Sequence, residues 1–218
     1  MAQIDVNQDG PYQVSGGVPL RRKRAETTEL GESVGWQADE LLATDDTYWL
    51  CRCGGSENKP FCDGSHRRIG FDGTEAAPTD SFADRATDYP AGTVTVQDDR
   101  AICQHAGFCG SKLTNVWKLT QQANDDDVRA EMLAMIDRCP SGALSYSVGG
   151  MPVEPHLPAE IGIIDDGPLL VTGGVTINRA DGQPLETRNR VTLCRCGQSA
   201  IKPFCDGSHT KAGFSDHA

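Results

Sequence analysis

Short stretches of alternating hydrophobic and polar residues lie near both ends of the chain. Alternation with a period of two is typical of β-strands that bury one face. Glycine pairs at 16–17 and 173–174 interrupt these stretches and predict turns or bulges. The segments Thr47–Leu50 and Arg190–Leu193 have strand character and run directly into cysteine-rich loops. The apolar positions are Tyr12, Val14 and Val18 near one end, and Leu169, Val171, Val175 and Ile177 near the other.

The middle of the chain has a different pattern. Residues 93–96 and 144–148 have the composition of two short strands. Acidic residues 125–127 precede apolar residues at helical spacing, which predicts an amphipathic helix with a negatively charged first turn. The apolar positions of this helix are Val128, Met132, Met135 and Ile136. Segments typical of linkers lie at 76–80, 89–92 and 151–158.

The two ends of the chain are copies of one unit. Residues 9–18 match residues 166–175, and residues 70–71 match residues 213–214. A unit this small cannot bury its own apolar face, so we expect the copies to pair. The order of repeat, insert and repeat predicts an α+β protein. Its expected domains are residues 1–75 and 160–218 for the β-rich units and residues 90–150 for the insert.

Composition limits the class of protein. The chain has 218 residues, of which 38% are hydrophobic, with 24 Gly and 12 Pro. Loop-rich units of this kind have modest cores and usually need metals or disulfides for stability. Nine cysteines cannot all pair with one another. Residues 1–9 lack the features of a signal peptide and no stretch approaches the roughly 20 apolar residues of a membrane span, so we expect a cytoplasmic protein whose thiols are ligands.

The net charge of −11 is concentrated in the middle of the chain. Residues 72–165 hold fifteen Asp and Glu against six Lys and Arg. Nucleic-acid binding needs a basic face, which this charge distribution disfavours. The exception is the Arg-Arg-Lys-Arg run at 21–24. We interpret it as a solvated loop or sheet edge, with a phosphate-binding patch as the alternative.

Six of the nine cysteines fall in two nearly identical blocks, residues 51–66 and 194–209, which agree at thirteen of sixteen positions. Each block reads Cys-x-Cys-x8-Cys-x3-His, three thiolates and one imidazole suited to a metal centre. Zinc is the alternative, although paired zinc ligands typically have two to four residues between them and these have one. Asp63 and Asp206 are placed to cap a short helix that begins at the following Gly-Ser-His step.

Both blocks resemble the CDGSH iron–sulfur signature, Cys-x-Cys-x2-(Ser/Thr)-x3-Pro-x-Cys-Asp-Gly-(Ser/Ala/Thr)-His, at every defined position. This family, which includes the mitochondrial NEET proteins, binds a [2Fe–2S] cluster through three Cys and one His. By this resemblance the first two cysteines of a block hold one iron, and the third cysteine holds the other with the histidine. These residues are Cys51, Cys53, Cys62 and His66 in one block, and Cys194, Cys196, Cys205 and His209 in the other.

The resemblance also implies how the two blocks are arranged. NEET-type proteins are homodimers whose protomers interlock through strands, so a chain with both halves is expected to be a monomer with an intrachain pseudo-dimer. Replacing a thiolate with a neutral imidazole raises the potential of a cluster, and protonation of the imidazole couples electron uptake to pH. The insert and the lack of a membrane anchor depart from the mitochondrial proteins, so their physiological roles are not implied.

The remaining cysteines lie in the insert. Cys103 and Cys109 are separated by five residues, and Cys139 precedes a proline after the predicted helix. This pattern resembles the divergent single-cluster ferredoxins, with Ala106 where a bacterial ferredoxin has its middle cysteine. Three thiolates favour a [3Fe–4S] cluster. A [4Fe–4S] cluster with His105 as an additional ligand is the alternative.

Together these features predict a multi-cluster iron–sulfur electron-transfer protein. Its acidic insert predicts a redox partner, a reductase or an oxidase, with a basic docking face. The alternative is iron–sulfur cluster transfer or storage, or redox sensing. Beyond the ligands the chain offers no cofactor loop or nucleophile–base pair, so we expect no catalysis on a small molecule, no nucleic-acid binding and no membrane association. His156 and His217 are given no role.

Overall fold

The computed structural model describes residues 2–216, so Met1 and His217 lie outside the described residues. It is an α+β fold rich in short strands, as the sequence predicts. The strands are β1 Gln3–Val6, β2 Tyr12–Ser15, β3 Leu20–Thr27, β4 Ser33–Leu42, β5 Thr47–Leu50, β6 Thr87–Ala91, β7 Val94–Asp98, β8 Leu144–Val148, β9 Met151–Val153, β10 Glu160–Ile164, β11 Leu169–Thr172, β12 Thr176–Asn178 and β13 Arg190–Leu193. The helices are α1 Ser65–Arg68, α2 Phe82–Arg85, α3 Val116–Leu119, α4 Asp126–Asp137 and α5 Ser208–Lys211.

The two repeats exchange strands. In the first sheet, β1, β2 and β5 of the first repeat are joined by β12 of the second, in the order β12-β1-β2-β5. In the second sheet, β3 of the first repeat pairs with β10 of the second, in the order β13-β11-β10-β3-β4. Both exchanged strands pair in parallel with the first strand of the other repeat. The predicted intrachain pseudo-dimer is confirmed, with an internal pseudo-twofold relation between its halves.

One hydrophobic core runs through both repeats. Ile4, Val14 and Leu20 of the first repeat and Ile161 and Leu169 of the second are fully buried in it. Burying each side chain of this size contributes about 1.5–3 kcal/mol. All the apolar positions predicted from the alternating pattern are buried. Because each repeat supplies only part of this core, the pair of repeats is the folding unit.

The insert has its own sheet and core. Its sheet has the order β6-β7-β8-β9, and α4 packs against it through Met132 and Ile136. The predicted amphipathic helix is confirmed, and its N-terminus is capped by the Asp125 carboxylate, which accepts two backbone N–H groups. The two predicted strands of the insert are confirmed as β7, which starts one residue late, and β8.

Two of the predicted linkers contain strands. Residues 89–91 belong to β6, and residues 151–153 form β9, so the prediction of irregular structure is wrong at both places. The prediction rested on Pro90 and Pro152, because proline is common in linkers. Both prolines lie on the outermost strands of the four-stranded sheet, where a residue without an N–H group is tolerated.

The Arg-Arg-Lys-Arg run is part of β3. The predicted loop or sheet edge is wrong, because β3 lies between β10 and β4. Its charges are balanced by carboxylates on the neighbouring segments. Glu160 lies 3.2 Å from Arg21 and 2.8 Å from Lys23, and Asp165 lies 3.4 Å from Arg22.

The second repeat holds the insert through an arginine of β13. Arg190 donates hydrogen bonds to the carbonyl oxygens of Asp137 at 2.8 Å and Leu144 at 3.1 Å. These two residues lie on either side of Cys139 in the sequence. The cysteine segment of the insert is therefore fixed against the second repeat.

The first repeat holds the same segment from strand β4, which the sequence did not predict. The indole N–H of Trp36 donates to the carbonyl oxygen of Arg138 at 3.2 Å. The Trp36 ring lies 4.7 Å from that of Phe108, centroid to centroid, next to Cys109. Aromatic pairs at this distance add to the free energy of burial.

None of the helices within residues 2–216 has the length and hydropathy needed to cross a bilayer.

Candidate iron–sulfur sites

The first ligand loop folds back along β5. The N–H of Cys51 donates to the carbonyl of Pro60 at 2.8 Å, and the N–H of Cys62 donates to that of Trp49 at 3.0 Å. Phe61 also forms a bridge with Leu50, the last residue of β5. These bonds bring the third cysteine of the loop back beside the first two.

A short helix then positions the histidine. The carboxylate of Asp63 accepts the N–H groups of Ser65 and Glu57, both at 2.9 Å, and so connects the helix start to the ligand loop. The N-cap residue of α1 is Gly64 and not Asp63, so the predicted capping position is wrong by one residue, although the Asp63 carboxylate binds the N–H of the first helical residue. His66 is the second residue of α1.

The donor atoms of the first repeat form two close pairs. The sulfurs of Cys51 and Cys53 are 3.7 Å apart, and the sulfur of Cys62 is 3.4 Å from Nδ1 of His66. Two ligand atoms at about 2.3 Å from one tetrahedral metal are roughly 3.8 Å apart. Each pair therefore has the separation of two ligands on one metal atom, and the pairs are those that the CDGSH resemblance implied.

The second repeat reproduces this geometry. The sulfurs of Cys194 and Cys196 are 3.7 Å apart, and the sulfur of Cys205 is 3.4 Å from Nδ1 of His209. The N-cap residue of α5 is likewise Gly207 and not the predicted Asp206, whose carboxylate accepts the N–H of Ser208 at 2.9 Å.

Backbone N–H groups point at ligand sulfurs in both repeats. Hydrogen bonds of this kind stabilise a thiolate and change the reduction potential of a cluster that it holds. The contacts are from Gly55 to Cys53 at 3.4 Å, Gly64 to Cys62 at 3.5 Å, Gln198 to Cys196 at 3.5 Å, and Gly207 to Cys205 at 3.4 Å.

The donor arrangement fits a cluster better than a single ion. Within residues 2–216, no three donors of the His, Cys, Asp or Glu type surround one metal position. Structural zinc needs four ligands around one ion. In a [2Fe–2S] cluster held by four residues each iron takes two of them, as in the Rieske centres. The paired donors of each repeat match the second arrangement.

The first two thiols of each loop share a proton. The hydrogen bond from Cys53 lowers the pKa of Cys51 to about 6, while the same contact raises the pKa of Cys53. In the second repeat the contact with Cys196 likewise lowers the pKa of Cys194 to about 6. Each pair therefore supplies one thiolate near neutral pH before any metal binds.

Burial keeps the two thiols on the histidine side, and His209, neutral near neutral pH. Burial raises the pKa of the Cys205 thiol to about 12 and also raises that of Cys62. Burial, and then the charge of Arg195, lowers the pKa of His209. A neutral imidazole is the form that binds metal.

Two buried arginines support the ligand loops. Arg52 and Arg195, the middle residues of the two Cys-Arg-Cys runs, are 1% and 2% exposed. Arg52 donates from Nε to the carbonyl of Gly10 at 3.0 Å, and Arg195 does so to Gly167 at 2.8 Å. Each arginine thereby joins its ligand loop to the turn between the first two strands of its own repeat.

The ligand loops of the two repeats meet each other. Cys53 and Cys196 form an antiparallel β-bridge. A Cβ atom on Gly54 would lie 2.7 Å from the carbonyl oxygen of Cys196, and one on Gly197 would lie 2.8 Å from that of Cys53. Glycine at both positions therefore permits the close approach of two ligand cysteines across the pseudo-twofold.

The histidine side of the first site is open. A cleft of about 810 Å³ extends over Cys62 and His66, with Trp49 and Arg67 among its lining residues. Trp49 is 46% exposed, although its neighbours in β5 are buried. This cleft gives another molecule access to the first site.

The insert covers the corresponding side of the second site. A Cβ atom on Gly207 would lie 2.8 Å from the carbonyl oxygen of Gln104 and 3.7 Å from Cβ of His105. At Gly64, the matching position of the first repeat, no atom lies within 4 Å of such a Cβ. Cys205 is 1% exposed. The two sites thus have matching donors and different surroundings.

The three cysteines of the insert line a single cavity of about 180 Å³, together with His105 and Ala106. Burial, and then the nearby thiols of Cys139 and Cys103, raises the pKa of Cys109. His105 has a left-handed backbone, with φ at 62°. The structure therefore brings together the three predicted thiol ligands and places the predicted additional ligand at the same cavity.

Comparison with protein families agrees with this geometry. A family described as iron-binding zinc finger of the CDGSH type matches residues 9–67 and 166–210, and a divergent 4Fe–4S mono-cluster family matches residues 89–149. The chain contains two CDGSH-type iron-binding regions with a region of the divergent mono-cluster type between them. The prediction of two CDGSH units around a single-cluster insert is confirmed for this double CDGSH protein. No curated protein matches it.

Tyr12 was predicted as a buried apolar position, and in the double CDGSH protein it also supports a ligand loop. The hydroxyl of Tyr12 donates to the carbonyl oxygens of Cys194 at 2.9 Å and Pro203 at 3.1 Å. Leu169 occupies the matching position of the second repeat. This difference between otherwise similar strands was the signal that the sequence contained.

Proposed function

We propose that the double CDGSH protein is a multi-cluster electron-transfer protein. Each CDGSH site binds one [2Fe–2S] cluster, and the insert binds one larger cluster through its three cysteines. The proposed ligands are Cys51, Cys53, Cys62 and His66; Cys194, Cys196, Cys205 and His209; and Cys103, Cys109 and Cys139.

The observation that carries this proposal is the bridge between Cys53 and Cys196. Electron tunnelling slows steeply as the distance between sites grows. Two ligand residues in direct backbone contact place their sites close together within one folded core. This supports a protein through which electrons move from site to site without diffusion.

For the central site we propose a [3Fe–4S] cluster on three thiolates, because Ala106 provides no donor where a fourth cysteine would stand. A [4Fe–4S] cluster is the second candidate. It is supported by the position of His105 at the cavity and by the description of the matching family.

The surface of the insert supports a basic redox partner. Asp84, Asp88 and residues 125–127 of the insert are exposed acidic side chains. Complementary charge of this type gives fast and weak encounters between electron-transfer proteins. The proposed role is that of a carrier between such proteins and not that of an enzyme acting on a small molecule.

Cluster transfer is a second candidate function for one site only. The open cleft over Cys62 and His66 would allow an acceptor protein to approach the first CDGSH site. The histidine is the weaker anchor of the donor set, and it lies on this open side.

Metal and sulfide analysis, followed by a redox titration of anaerobically purified protein, tests the proposed function. We expect iron and sulfide together, and reversible reduction at two or more potentials. Zinc in place of iron, or clusters that are destroyed on reduction, would contradict electron transfer. Rapid donation of [2Fe–2S] to an apo-ferredoxin, lost in a Cys62→Ser variant and kept in Cys205→Ser, would favour cluster transfer.

A further inference from the structure

We propose that Gly207 is a positioning residue that seats the insert on the second CDGSH site alone, so that electrons pass between the insert and the first site only through the second. This inference rests on the proposed electron-transfer function.

The contact at Gly207 joins two ligand loops. Gln104, which follows Cys103 in the chain, presents its carbonyl oxygen to Gly207. The N–H of Gly207 in turn points at the sulfur of Cys205 at 3.4 Å. One van der Waals contact and one hydrogen bond thus connect a ligand cysteine of the insert with a ligand cysteine of the second CDGSH site.

The junction is buried. Gln104 is 6% exposed, and its side-chain oxygen has no hydrogen-bond partner among the described atoms. A polar group that is buried without a partner is rare and unfavourable.

The first CDGSH site has no such junction. Gly64 has the same left-handed backbone as Gly207, with φ at 86° against 85°, but no atom of residues 2–216 lies within 4 Å of a Cβ placed on it. Arg190, which holds the insert by two carbonyl groups, has Thr47 as its counterpart in the first repeat. Threonine is too short to make these bonds. The two repeats are nearly symmetric, but only the second can hold the insert in this way.

The order of sites follows from these contacts. The insert meets the histidine side of the second site, the cysteine side of that site meets Cys53 of the first, and the first site opens to solvent at His66. In the inner step the reduced insert site loses one electron and the oxidised second site gains it. No bond forms or breaks, and dithionite supplies the electron in the experiments below.

Magnetic coupling in the holo-protein tests this order. The protein is reduced with dithionite to a potential at which the insert and the CDGSH sites are paramagnetic, and the EPR signal of the insert is examined for dipolar broadening. Cys205→Ser should abolish the broadening, and Cys62→Ser should leave it. Equal losses in both variants, or a loss with Cys62→Ser alone, would overturn the proposal.

The glycine pair tests the positioning role. Alanine at either position imposes the same backbone strain, but only at Gly207 does it clash with Gln104. We expect Gly207→Ala to reduce the broadening and Gly64→Ala to leave it unchanged. In the holo-protein, hydrogen exchange at the amides of Gln104 and His105 should accelerate only in Gly207→Ala. Equal effects of both alanines would show that strain alone is responsible and would overturn the proposal.

If Gly207→Ala fails to bind its cluster, a variant at Arg190 tests the position of the insert instead. Arg190→Lys keeps the charge but cannot span the carbonyls of Asp137 and Leu144, so it should loosen the insert and reduce the broadening with all ligands intact. If Arg190→Lys leaves both the dipolar broadening and the hydrogen exchange unchanged, the proposed docking of the insert on the second site is contradicted. Clusters that cannot be reduced reversibly would overturn the electron-transfer function, while hydrogen exchange, which requires no reduction, would still report on the position of the insert.

Discussion

The hydroxyl of Tyr12 donates a hydrogen bond of 2.9 Å to the carbonyl oxygen of Cys194, a ligand residue of the other repeat. The tyrosine is fully buried, and burial raises its pKa well above the usual value, so the hydroxyl keeps its proton. The second ligand loop is therefore supported by the first repeat. Leu169 occupies the equivalent position of the second repeat and has no hydroxyl with which to give the first loop this support.

Replacing Tyr12 with Phe should weaken the second site. The change leaves the buried carbonyl oxygens of Cys194 and Pro203 without this donor, at a cost of about 1–3 kcal/mol in the free energy of unfolding. We expect faster loss of the cluster from the second site, measured by visible absorbance in a Cys62→Ser background in which the first site is disabled.

Tyr48→Phe is the matched control for this prediction. Tyr48 is also buried, and its hydroxyl donates to the carbonyl of Val18 at 2.7 Å, away from both ligand loops. It should lower stability by a similar amount without accelerating cluster loss from the second site. If both variants lost the cluster at the same rate, a specific role for Tyr12 would be excluded.

The buried ion pair between Arg195 and Asp216 should be strongly coupled. Both side chains are 1% exposed, and a second guanidinium nitrogen lies 2.8 Å from the carboxylate. Arg195→Met alone leaves a buried carboxylate without its cation, which costs about 3–5 kcal/mol. Urea unfolding of the apo-protein should show that adding Asp216→Leu recovers part of this loss. Strict additivity of the two changes would contradict the coupling.

The pKa values of the thiols predict that the rate of cluster loading depends on pH. Burial raises the pKa of Cys205 to about 12 and also raises that of Cys62, which is less buried. Both thiols are therefore neutral at pH 7, and a higher pH increases the fraction present as the thiolate that binds iron. Cluster reconstitution should accelerate from pH 7 to pH 8.5, with proton release.

The first site should load before the second, because its third cysteine is more accessible. Reconstitution of Cys62→Ser and Cys205→Ser variants separates the two sites and reports each rate. Loading that is independent of pH at both sites would show that deprotonation of these thiols does not limit the process.

The grouping of the candidate donors was predictable because it depends on local spacing. Cys51 and Cys53 are separated by one residue, and the loop that brings Cys62 back is closed by bonds within the same segment. The pairing of whole repeats was also predictable, because alternating apolar positions at both ends required a common core.

The environment of each site could not be read from the repeated motif. Gly64 and Gly207 lie in identical Cys-Asp-Gly-Ser-His sequences, yet only Gly207 touches the insert. That contact depends on Arg190 and on Trp36 in a strand without a clear alternating pattern. Such long-range contacts leave no trace in the spacing of the ligands.

The role of His105 distinguishes the two candidates for the central cluster. A [3Fe–4S] cluster is paramagnetic when oxidised and gives an EPR signal in that state. If three thiolates hold it, His105→Ala should leave this signal unchanged, because His105 is then not a ligand. A [4Fe–4S] cluster is diamagnetic in its usual oxidised state and gains its signal on reduction. Loss of the cluster in His105→Ala would show that His105 is a ligand. A change from an EPR signal seen on reduction to one seen in the oxidised state would show the same. Because the side chain lines the cavity while its backbone has a positive φ, His105→Asn serves as the control that tolerates the same backbone without supplying an imidazole.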